Sequence, residues 1–66
     1  MKMTVRHYLI IRHALRQACP SVRWDYGKTV GEKETFSLSS RVGAGYEIVL
    51  ERVVYCDGTT FYYLSA

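Results

Sequence analysis

The strongest constraint on this chain is a change of hydrophobic period at its single proline, Pro20. Before it, apolar residues recur at helical spacing; after it, they alternate as in a half-buried strand. With residues roughly 100° apart, Tyr8, Ile11, Ala14, Leu15, Ala18 and Cys19 fall on one arc of about 140°, with His7 inside it. Arg6, Arg12, His13, Arg16 and Gln17 take the other side. Leu9 and Ile10 point toward that polar arc and have no core to join. Thr4 is placed to cap the helix, without the acid at His7 that would complete a capping box. Pro20 ends it by biasing Cys19 away from helical angles.

Downstream, Val22, Trp24 and Tyr26 alternate with Arg23 and Asp25, an extended segment. Gly27 to Glu34 reads as a polar loop. Phe36, Leu38 and Val42 then alternate with Ser37, Ser39 and Arg41. Gly43-Ala44-Gly45 turns the chain into Tyr46 to Cys56, and Asp57-Gly58 is the clearest hairpin signal before Thr59 to Ser65. The expected fold is therefore α+β: one domain over residues 1–66, with an N-terminal amphipathic helix packed on an antiparallel meander of three or four strands. Sixty-six residues leave no room for a second domain, and at this size a fold is marginal without help from a disulfide, a metal or a second copy.

Turn lengths fix which side chains share a face. A two-residue Asp57-Gly58 loop pairs Val54 with Phe61 and Arg52 with Tyr63. A three-residue Gly43-Ala44-Gly45 loop pairs Leu38 with Leu50. The helix-covered face then holds Phe36, Leu38, Val42, Tyr46, Ile48, Leu50, Val54, Cys56, Phe61 and Tyr63, with Arg52 laid along Tyr63 at the margin. The opposite face presents Val49, Val53, Tyr55, Tyr62 and Leu64. One helix covers only one side of a sheet, so this second group is a candidate protein interface.

Charge is uneven. The net +3 conceals six Lys/Arg against one acid in residues 1–28, and three against five in the remainder. A basic front half suits phosphate or an acidic protein surface. Arg6, Arg12, Arg16 and Arg23 are the candidate phosphate contacts, with Trp24 and Tyr26 to stack on unpaired bases. No zinc finger, helix-turn-helix or aromatic RNA-binding strand motif accompanies them.

Signals of catalysis are thin. His7 and His13 lie about 120° apart on the helix, unlike the two histidines of a zinc-binding helix. The glycines form neither a P-loop nor a dinucleotide fingerprint. No metal, cofactor or small-molecule substrate is expected. A small metal-free ribonuclease would have to draw on His7, His13, Arg12, Arg16 and Tyr26. Cys19 and Cys56 match no paired-cysteine metal or redox spacing and read as two thiols. A bond between them would close a 38-residue span and add about 3–4 kcal/mol. Neither a secretory leader nor a membrane span is legible, so the expected location is the cytoplasm. The expected function is a non-enzymatic interaction module, an inhibitor or adaptor of the phage or mobile-element type. It would bind a larger protein or a second copy of itself, with nucleic-acid binding through the basic helix as the alternative.

Overall fold

The computed structural model describes residues 1–27, 31–39, 43 and 45–66, with Tyr26 and Gly27 described in backbone only. The chain runs β1 (Lys2–Met3), α1 (Val5–Ala18), β2 (Ser21–Gly27), β3 (Gly31–Leu38), β4 (Tyr46–Val54) and β5 (Thr60–Ser65). The five strands form one antiparallel sheet in the order β1-β5-β4-β3-β2, with α1 packed on one face. The α+β class is as expected. The sheet has five strands rather than three or four, because a two-residue strand too short to leave a period pairs Lys2 with Tyr63 and Met3 with Tyr62.

Local chemistry sets the ends of α1. The Thr4 hydroxyl accepts a hydrogen bond from the His7 N–H at 3.2 Å, satisfying one of the donors a helix start leaves open. At the other end Cys19 is extended (φ −137°, ψ 147°) ahead of Pro20, and its N–H still donates to the Leu15 carbonyl. The Pro20 carbonyl then accepts from the Ser37 N–H, so the helix exit leads directly into β2 beside β3.

The core is small: Tyr8, Phe36 and Leu50 are buried, and Met3, Ile11, Leu15, Cys19, Leu38, Tyr62 and Leu64 pack around them. Of the expected apolar arc, His7, Ala14 and Ala18 are exposed, while Arg12 and Arg16 lie toward the sheet. Leu9 and Ile10 stay exposed, as their positions implied.

Three expectations about the sheet are corrected. First, Gly31 to Glu34 belongs to β3 rather than to a loop, its charged side chains carrying no apolar alternation. Second, β3 pairs with β4 four positions from the expected register, Leu38 opposite Tyr46 and Phe36 opposite Ile48. An even shift leaves every face unchanged, and Val42, expected on this face, lies outside the described residues. Third, β4 and β5 pair one position off, Leu50 opposite Leu64 and Arg52 opposite Tyr62. The loop is three residues long, not two. Gly58, at φ 88°, donates to the Tyr55 carbonyl, the Tyr55 N–H reaches the Thr59 carbonyl, and Asp57 Oδ1 accepts from the Thr59 N–H. One extra residue turns every β5 side chain over. Tyr62 and Leu64 therefore face the helix, with the Tyr8 and Tyr62 rings 4.7 Å apart, and Phe61 and Tyr63 face away.

Candidate functional site

Combining the registers lays out the face that α1 leaves uncovered. Val22, Thr35 and Val49 form one row across the strands; Trp24, Lys33, Glu51 and Tyr63 form the next; Val53 and Phe61 lie beyond, with Tyr55 at the turn. Tyr55 meets Phe61 edge-on at 5.1 Å between centroids, and Phe61 lies 6.4 Å from Tyr63. Lys2 reaches across from β1 to place its ammonium 4.0 Å over the Phe61 ring. The hydrogen bond between the Tyr63 and Tyr55 side chains is the main reason the Tyr63 hydroxyl titrates above its ordinary value, with desolvation and the nearby Glu51 charge adding to it.

This face is apolar in its flanks and charge-balanced at its centre. Trp24 is 60% exposed, Val22 58% and Tyr55 47%. Lys33 and Glu51 stand directly opposite each other on β3 and β4. Of the five residues the sequence assigned to an interface, Val49, Val53 and Tyr55 lie on this face. Tyr62 and Leu64 do not, and Phe61 and Tyr63 take their place. The signal that would have found them is the glycine in third place of the Cys56-Asp57-Gly58 loop, the position a three-residue hairpin gives to positive φ.

The basic residues are distributed differently. Arg16 grips Glu34 with Nε 2.9 Å from Oε2 and Nη2 2.6 Å from Oε1, while the Glu34 side chain is only 4% exposed. Burial alone pushes the Glu34 carboxyl upward, but hydrogen bonds from Arg16 and Ser21 outweigh it and hold the carboxyl below its ordinary value. Arg12 lies over the Tyr8 ring, 5.4 Å from its centroid, and 4.0 Å from Glu32, which Arg52 also approaches at 3.6 Å. Burial, with the Glu32 charge behind it, raises the Tyr8 hydroxyl. Glu34 is thus neither on a loop nor on the uncovered face, and Arg52 reaches Glu32 instead of lying along Tyr63.

These pairs are commensurate. Residues four apart on a helix are about 6 Å apart along its axis, and residues two apart on a strand about 7 Å. Arg12 and Arg16 can therefore meet Glu32 and Glu34 in step.

The structure does not gather the residues expected to hold nucleic acid. Arg12 and Arg16 sit between helix and sheet, Arg23 shares the helix side of β2 opposite Glu34, Arg6 is exposed in the first turn of α1, and Trp24 points from the other face. The Tyr26 side chain lies outside the described residues. His7 and His13 are both exposed, Cys19 is partly buried on the core, and Cys56 is an exposed thiol. Among the described residues there is no pocket, no cluster of metal-ligating side chains, and no helix long and apolar enough to cross a membrane. Compared with models of known protein families, with curated proteins and with solved structures, the chain matches none.

Proposed function

We propose that this protein is a binding module that acts on a protein partner, as an inhibitor or adaptor, through the uncovered face of its sheet. The observation that carries the reading is a five-stranded sheet with one helix on one side and Trp24, Val22 and Tyr55 exposed on the other. Tyr and Trp are the side chains that most often anchor protein interfaces, because they bring large area with few rotors to freeze. The balance of Lys33 against Glu51 and of Lys2 against Glu47 favours a protein surface over a phosphate backbone, which would call for an excess of cations on the contacting face. Of the four arginines that would have supplied that excess, Arg12 and Arg16 face carboxylates of the same chain. Binding, not catalysis, is the activity this arrangement serves.

The test compares wild type with Tyr55→Ala and Val53→Ala as baits for proteins of the source cell, after nuclease treatment. Both side chains lie on the sheet face opposite the Tyr8–Phe36–Leu50 core. Loss of a specific captured protein in either variant, at about 1–3 kcal/mol of binding per anchor, supports the reading. Capture unaffected by both substitutions, or abolished by nuclease, refutes it.

A further inference from the structure

The two edges of the sheet are built differently. One edge, β1, is two residues long, too short to template another strand. The other, β2, is seven residues long, and among the described residues it has a strand neighbour on one side only, β3. Every residue from Ser21 to Asp25 is exposed. That stretch carries no proline and no lysine, the usual guards of an open edge, and its one irregularity, between Asp25 and Gly27, lies at its far end.

We infer that β2 joins two copies of this chain, pairing antiparallel with its own equivalent about a two-fold axis beside Trp24. The pattern around that residue is self-complementary. Arg23 and Asp25 flank Trp24 on the helix side of the strand, so the antiparallel pair sets Arg23 of each copy opposite Asp25 of the other. Two attractive cross-strand pairs result, where an edge bearing one sign of charge would repel itself. On the uncovered face the same register brings the two Trp24 rings together, an aromatic cross-strand pair built from the most exposed aromatic side chain among the described residues. Asp25 also has an interaction within its own chain, which the pairing adds to and does not replace. The joined sheet has ten strands and a single continuous uncovered face. The inference does not depend on the proposed protein target, because it rests on the strand edge and draws on the uncovered face only through Trp24.

The purified protein is examined by sedimentation and by fluorescence across a micromolar-to-millimolar dilution series. Trp24 is the only tryptophan, so its emission reports on β2 without any substitution. The expected result is a mass that doubles with concentration and an emission maximum that moves to the blue in the same range. Arg23→Asp and Asp25→Arg, each checked for folding by circular dichroism, should each weaken self-association about tenfold or more. Mixing the two variants should restore association as a heterodimer, which a folding defect cannot do. A monomer with constant emission at every concentration overturns the inference and leaves the target-binding reading standing. Association that ignores the charge swaps, or that Tyr55→Ala abolishes, also overturns it by moving the contact to the sheet face.

Discussion

Replacing Arg16 with methionine keeps most of the aliphatic stem and removes the guanidinium that satisfies Glu34. The wild-type carboxylate accepts from Nε at 2.9 Å and 3.1 Å and from Nη2 at 2.6 Å, in a position with almost no access to water. Breaking a fully buried pair costs about 3–5 kcal/mol; with Arg16 a third exposed and Ser21 still donating, about 2–3 kcal/mol is the expected loss. A domain of this length has about 3–10 kcal/mol in total, so the variant should melt roughly 10–20 °C lower near neutral pH.

The pH dependence separates this cause from lost packing. In wild type the Glu34 carboxyl is depressed, so its contribution is present above the unfolded carboxylate range and disappears as the pH falls through the folded value. In the variant, burial acts without the Arg16 hydrogen bonds and raises the carboxyl. The penalty is then full at neutral pH and relieved once the group takes a proton. The stability gap between the two proteins should therefore be widest near neutrality and narrow below about pH 4. Urea midpoints at matched slopes measure it. A gap under about 0.5 kcal/mol at neutral pH, or one unchanged on acidification, refutes the reasoning. Adding Glu34→Leu to Arg16→Met should recover most of the loss, since removing both members of a buried pair is often nearly neutral.

Gly31 sits at φ 118°, and a Cβ there would lie 1.8 Å from the Arg52 carbonyl oxygen; Gly58, at φ 88°, faces open space. Gly31→Ala should cost about 2 kcal/mol or more and Gly58→Ala about 1 kcal/mol, by thermal unfolding; equal costs would contradict the close approach of β3 to β4. Thr4→Ala should cost about 1 kcal/mol in the same assay, with Thr4→Ser close to wild type. Cys56 should react with a thiol reagent in the native state well before Cys19, and mass spectrometry of the first labelled peptide decides it.

The helix was the most legible part of the fold because its limits depend on neighbours in sequence: Thr4 caps it and Pro20 stops it. The sheet's faces were half legible. On β3 and β4 the alternation of Phe36, Leu38, Ile48 and Leu50 survives any even change of register, so an error of four positions did no harm. In β5 the run Phe61-Tyr62-Tyr63-Leu64 is apolar or aromatic on both sides, and nothing within it says which side is buried. The turn alone decides, and one residue more in it moved Tyr62 and Leu64 under the helix. Glu34 was opaque for another reason. A charged residue in a polar run reads as exposed, and only the fold reveals that Arg16, eighteen positions earlier, comes back to meet it.

The strand that closes the sheet beside β5 brings together positions far apart in the chain: Lys2 and Met3 meet Tyr63 and Tyr62, and the Leu64 N–H donates to the Met1 carbonyl at 2.7 Å. Loop-closure entropy makes such a contact expensive to form alone and cheap once the intervening hairpins have drawn its ends near. Folding should thus proceed outward from the hairpins, with Met1–Met3 among the last residues to settle. During that interval the Met1–Met3 segment hangs loose and β5 presents a raw border, so the chain is most vulnerable to proteolysis around Met1–Met3 and most prone to mispair along β5.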